Sequence, residues 1–319
     1  MATANQIKDL IKAHMSNDNI KFKTIVLQIA AYEARQNHPK LARELSKLVE
    51  KPVHQQNNVV SIGKKNPMLD LSVPNLGLND LIVSDDIKQK IMRILQEYKN
   101  KNKLRQYGLQ NRKKILIEGP PGTGKTYTAS IIASELKLPL YTVQMDKLVT
   151  KYMGETSVKL RKVFESIEEN TGVYLFDEFD AIGTDRSMDN EVGEMRRVLN
   201  SFLQFIEEYD GNSIIICATN NKGLLDNALF RRFDDVLHYD FPTKKEITNI
   251  FFARLGAYQG SFVPSSKLVN ATVSLSQAEI VRICDDAMKN SILENKPITE
   301  QQLTNLINER HSIYANKGA

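Results

Sequence analysis

The sequence predicts an α/β fold: a mostly parallel sheet with helices on both faces, preceded by a small helical bundle and followed by a small helical lid. Three observations carry this. Between about residues 76 and 242, short apolar runs alternate with segments of helical periodicity, and such alternation means right-handed crossovers between parallel strands. Residues 3–50 repeat apolar positions only at helical spacing, and so does the chain from about residue 243 to its end. At 319 residues, 41% hydrophobic and 25% charged, the chain can bury two or three packed units.

Taken in order, Ile7, Leu10, Ile11 and Met15 mark a first short helix and Ile25, Val26, Ile29 and Ala30 a second, which His38-Pro39 ends before LARELSKLVE opens a third. Residues 1–50 therefore read as a bundle. Residues 51–75 begin with PVHQQNNVVSIGKKNP, polar and aperiodic, and read as a tether. Residues 76–242 supply helix IKQKIMRILQEYK, strand KILIEG, helix YTASIIASELK, strand LPLYTVQM, helix SVKLRKVFESIEE, strand VYLFDE, a long helix near EMRRVLNSFLQFIEEY and strand SIIICATN. The lid occupies 243–319. In such a sheet, functional groups gather at the carboxyl ends of the strands.

No run of about 18 apolar residues occurs, and MATANQIKDL has no uninterrupted apolar stretch of the secretory kind. Neither membrane insertion nor export is expected, and a cytoplasmic protein is the default. Cys217 and Cys284 both sit in apolar runs without metal-ligand spacing, which makes them core residues. The net charge is +5, but Lys99, Lys101, Lys103, Arg105, Arg112, Lys113 and Lys114 fall close together. That cluster either faces nucleic acid or phosphate, or is a solvated helix and loop leading into a strand.

The segment GPPGTGKT, Gly119, Pro120, Pro121, Gly122, Thr123, Gly124, Lys125 and Thr126, follows a strand and opens a helix. Its glycines let the backbone wind so that N–H groups and the positive helix end meet phosphate oxygens. Lys125 adds a charge for the β- and γ-phosphates, and the Thr126 hydroxyl suits Mg²⁺. In VYLFDEFD, four apolar residues followed by acids mark a buried strand emerging into a site. Asp177 would hold the metal and Glu178 would polarise water as general base, whereas Asp180 reads as a helix cap or structural partner. Asn220, at the end of SIIICATNN, would reach the γ-phosphate and the water, with Asn221 a turn residue. Arg231 and Arg232 either pair with the following Asp234 and Asp235 or project onto a phosphate bound by a neighbouring subunit.

Together ILIEGPPGTGKT, VYLFDEFDAIG, IIICATNN and LLDNALFRRFDDVLHYDFP resemble the AAA family of ATPases over about residues 76–310, most closely the katanin, spastin and ESCRT-disassembly branch. The resemblance implies a P-loop NTPase fold with ATP and Mg²⁺ as cofactors. It implies Walker A at Gly119 to Thr126, Walker B at Asp177 and Glu178, sensor 1 at Asn220, and arginine fingers at Arg231 and Arg232. Asp80, Leu81 and Ile82 look like the segment lining the adenine pocket. Lys151, Tyr152 and Met153 match the first pore loop, where an aromatic ring and a thioether can grip a polypeptide without reading its sequence; the alternative is that Tyr152 packs under its own loop. TDRSMDNEVGE would hold a second pore loop. Two departures stand out: SLSQAEIVRICDDA offers Arg282 but no glycine of the G-x-R sensor 2 pattern, and the first 50 residues do not resemble the branch's N-terminal module.

The reading is therefore an ATP-driven remodeller. It would form a homo-oligomeric ring of hexamer type, because arginines acting in trans require a neighbour, with a polypeptide substrate or partner engaged by the pore and the N-terminal bundle. The alternative is a nucleic-acid motor or loader with the basic cluster on DNA, and a slow nucleotide-controlled switch is a third possibility.

Overall fold

The computed structural model describes residues 66–148, 155–182, 189–220, 230–259 and 262–315, together with scattered positions between 25 and 44. The chain divides into two compact units, Met1–Lys65 and Asn66–Ala319. In the first, the described residues at 25–27, 29–30, 33, 40–41 and 43–44 are helical. Ile25, Val26 and Ala30 are buried, and the buried Glu33 is bonded to His38 Nδ1 at 2.8 Å.

The second unit runs β1 (Leu69–Ser72), α1 (Asp85–Lys99), α2 (Lys101–Gln106), β2 (Lys114–Glu118), α3 (Lys125–Leu136), β3 (Leu140–Val143), α4 (Met145–Leu148), α5 (Glu155–Glu169), β4 (Val173–Phe176), α6 (Asp189–Glu208), β5 (Ile214–Thr219) and β6 (Asp235–His238). The helices α7 (Lys244–Gln259), α8 (Ser266–Thr272), α9 (Gln277–Glu294) and α10 (Glu300–Ala315) close it. Short 3₁₀ turns lie at Leu78–Asp80 and Phe179–Ile182.

The six strands form one sheet in the order β1-β3-β4-β5-β2-β6. All neighbours are parallel except β1 with β3. The strands β2, β4 and β5 are apolar because both their faces are covered. Leu116, Tyr174, Phe176, Ile215 and Cys217 point into a layer with Phe164 of α5 and Phe202 and Ile206 of α6. Ile115, Ile117, Val173, Leu175 and Ile216 point the other way, against Ile91 and Ile94 of α1 and Ile131 and Ile132 of α3. The lid has its own core, including Ile247, Phe251, Ile280, Ile283 and Leu303.

Local chemistry sets the element ends. Ser84 caps α1 by accepting from Ile87 N–H, and Asp85 and Asp86 fill its first turn. Ser276 and Glu279 form a capping box at the start of α9.

Two strands were not anticipated. β1 lies within the stretch read as a tether, so the sheet unit takes in residues from 66 onward. It is an edge strand with no fully buried position, and it therefore carries no apolar run. β6 also sits at an edge, with one buried residue in four. Both cysteines are buried free thiols. Burial raises the pKa of Cys284 to about 12.

Candidate nucleotide site

The turn between β2 and α3 wraps closely because two of its glycines sit where no side chain fits. At Gly119, φ is +148° and a Cβ would lie 2.2 Å from the Tyr239 carbonyl oxygen. At Gly122, φ is +75° and a Cβ would lie 2.6 Å from Ser276 Oγ of the lid. The Gly122 carbonyl also accepts from Ala278 N–H at 2.9 Å, tying this turn directly to the first turn of α9.

Lys125 is buried, and its ammonium donates to Gly119 O at 2.7 Å, Pro120 O at 2.8 Å and Asn220 Oδ1 at 2.8 Å. Burial lowers its pKa, while the charges of Asp177 and Asp180 act in the opposite direction. Beside it, Thr126 Oγ1 donates to Asp177 Oδ2 at 2.5 Å. Glu178 is exposed, has φ of 51° in the left-handed region, and donates its N–H to Asp177 Oδ1 at 2.9 Å. Such a φ is uncommon outside glycine and concentrates at functional sites.

A cavity of about 720 Å³ gathers these groups. Its lining includes the expected Asp80, Leu81, Ile82, Pro121, Gly122, Thr123, Gly124, Lys125, Thr126, Asp177, Glu178 and Asn220. Gly119 and Pro120 lie behind the lining and meet Lys125 through their carbonyls. The lid contributes Ile250, Arg254, Gln277 and Val281, and α3 adds Tyr127. None of these five was singled out from the sequence, since each is one position within a helix and belongs to no local motif. Arg282 is exposed and outside the lining.

Asp180 is a structural partner: its Oδ1 accepts from Thr219 Oγ1 at 3.2 Å and from Asn220 N at 3.3 Å. The pairing of Arg231 and Arg232 with Asp234 and Asp235 is not found. Asp234 instead accepts from the backbone N–H of Lys113 and Lys114, and Asp235 meets Arg112. Arg232 pairs with Glu207, whereas Arg231 is exposed.

Part of the basic cluster is also engaged internally. Lys113 pairs with Asp210 at 2.6 Å, Arg112 also pairs with Glu97, Arg105 bonds Asn212 at 3.0 Å, and Lys101 lies over the Tyr98 ring at 4.2 Å. Lys151, Tyr152, Met153, Asn221 and residues 184–188 of TDRSMDNEVGE lie outside the described residues, while residues 189–194 open α6.

A glycine-rich turn on a helix N-terminus, facing an Asp-Glu strand end across a parallel sheet and closed by a helical lid, defines a P-loop nucleotide-binding protein. Within that class the chain belongs to the AAA family of ATPases. The model of the "ATPase family associated with various cellular activities (AAA)" matches residues 115–241. A Sinorhizobium fredii protein named "Uncharacterized AAA family ATPase y4kL" is 33% identical over 310 residues, 95% of this chain and 93% of that one. Similarity extends to the ATP-dependent zinc metalloprotease FtsH of Rhodothermus marinus, 29% identical over 257 residues, 77% of this chain but only 37% of that protein. A putative 26S proteasome regulatory subunit homolog of Methanothermobacter thermautotrophicus is 29% identical over 227 residues, 69% of this chain and 60% of that one. Two of these three relatives carry FtsH and proteasome-regulatory names, and none of the three is named for the katanin and spastin branch. Membership implies nucleotide binding and ATP hydrolysis. No helix among the described residues is long and apolar enough to cross a membrane.

Proposed function

We propose that this chain hydrolyses Mg·ATP in the cavity between sheet and lid, and that copies form a hexameric ring which draws a polypeptide through its centre. The observation that carries the reading is the convergence of Lys125, Thr126, Asp177, Glu178 and Asn220 on one cavity. Thr126 and Asp177 fit a hard cation, since hydroxyl and carboxylate oxygens stand 2.5 Å apart. Bound Mg²⁺ would offset phosphate charge. Lys125 holds the β- and γ-phosphates, Glu178 takes the proton of the attacking water, and Asn220 orients that water.

The remodelling part is supported by the names of the relatives, which attach an AAA core to a metalloprotease and to a proteasome subunit. Internal ion pairs at Arg112 and Lys113 weaken the nucleic-acid alternative. The katanin-branch likeness remains our reading of ILIEGPPGTGKT, VYLFDEFDAIG, IIICATNN and LLDNALFRRFDDVLHYDFP taken together. Residues 151–153 grip the substrate in this scheme, and the N-terminal unit selects the partner.

The test compares phosphate release with unfolding of a tagged protein substrate, in wild type and two variants. Glu178→Gln should keep ATP binding but lose about 10²-fold or more of turnover; ordinary turnover would remove Glu178 from the base role. Tyr152→Ala should hydrolyse ATP normally yet fail to unfold the substrate, and unchanged unfolding would end the pore assignment.

A further inference from the structure

The ladder between β4 and β5 ends at Phe176 opposite Cys217, short of Thr219 and Asn220. On its other side β5 stays paired with β2 as far as Glu118 opposite Thr219, and Gly119 N–H donates to Thr219 O at 3.3 Å. The tip of β5 is thus tied by backbone to the P-loop side, while on the β4 side the backbone ladder has stopped. Asp180 fills that gap with its side chain, one oxygen accepting from Thr219 Oγ1 and Asn220 N–H.

The turn that carries Asp180 is itself fixed. Phe179 is buried and its ring lies 4.6 Å from that of Phe202 on α6. Asp180 is not among the cavity-lining residues, so it meets bound nucleotide only through others. Asn220 does line the cavity, and its Oδ1 accepts from the Lys125 ammonium.

Resting on the nucleotide reading above, we propose that Asp180 is a positioning residue for hydrolysis: its carboxylate oxygen continues the β4–β5 pairing past the end of the ladder and sets where the Asn220 amide meets the transferring phosphate and the attacking water. In this role it works as an acceptor, so an uncharged oxygen at the same place should serve. Loss of the acceptor lets the β5 tip drift by a fraction of its bond length, which harms a step sensitive to alignment and leaves nucleotide affinity, set by the P-loop, in place.

Asp180→Ala and Asp180→Asn separate these roles, since asparagine keeps an oxygen in the same position without the charge. Both full-length variants would be compared with wild type for kcat and KM of Mg·ATP hydrolysis and for ATP-binding stoichiometry by calorimetry. We expect Asp180→Ala to lose about 10- to 100-fold in kcat with KM held within about threefold, and Asp180→Asn to recover to within about threefold of wild type. Unchanged kcat in Asp180→Ala overturns the proposal. So does a matching drop in binding stoichiometry, which would mark mere misfolding, and so does an asparagine variant as impaired as alanine. Absence of ATP turnover in the wild type would instead defeat the nucleotide reading itself.

Discussion

Among single residues, the two arginines at the end of the finger segment are unequal. Arg232 spends its guanidinium on Glu207, in a pair that is partly solvent-exposed on both sides, and such pairs contribute at most about 1 kcal/mol. Arg231 is exposed and has no ion-pair partner among the described residues. We propose Arg231 as the principal finger, because an exposed guanidinium with no ion pair among the described residues stays available to another subunit's phosphate. Arg231→Ala should lower kcat by about 10³-fold, the scale of a lost arginine finger, and Arg232→Ala by less than about tenfold. Steady-state phosphate release at one fixed protein concentration decides it, and equal losses would restore both arginines to one role.

At the scale of elements, the aromatic layer under α6 connects folding to chemistry. Phe202 is fully buried, with ring centroids 4.6 Å from Phe179, 5.2 Å from Phe176 and 5.8 Å from Phe164. Phe202→Ala should cost about 3–5 kcal/mol in urea unfolding, as large-to-small core changes do. It should also lower kcat, because Phe179 lies between Glu178 and Asp180. A loss of stability with unchanged kcat would separate the core from the site.

The same layer shows what the sequence made visible. β2, β4 and β5 stand out as unbroken apolar runs because both their faces are covered, and the acids after β4 are conspicuous because they end such a run. β1 and β6 are edge strands whose pairing is set by distant partners, so LDLS and DVLH carry no local mark. Arg254 and Gln277 escaped notice for a related reason: which face of a lid helix meets the P-loop is decided by packing between subdomains. The basic cluster left two readings open for a similar reason. Its charges are neighbours in sequence, but two of the carboxylates that meet them, Asp210 at Lys113 and Asp235 at Arg112, lie about a hundred residues further along the chain.

For the whole molecule, the central question is whether one copy is a complete enzyme. The groups proposed to hold nucleotide, among them Lys125, Thr126, Asp177 and Asn220, line a single cavity within residues 66–319, but Arg231 and Arg232 are not part of that lining. If Arg231 completes a neighbour's site, activity belongs to the contact between copies, and specific activity should rise with protein concentration as a mass-action process. Mixing makes the stronger test. A Lys125→Ala copy cannot hold phosphate but still offers Arg231; an Arg231→Ala copy holds phosphate but offers no finger. Each alone should be nearly inactive. In mixed assemblies, the cavity of the second copy faces the finger of the first, and that pairing reconstitutes an intact site. Phosphate release should therefore peak at intermediate mixing ratios, well above the sum of the separate preparations. A rate that stays at that sum across all ratios, with mixed assembly verified by differently sized tags, would mean that Arg231 acts within its own copy.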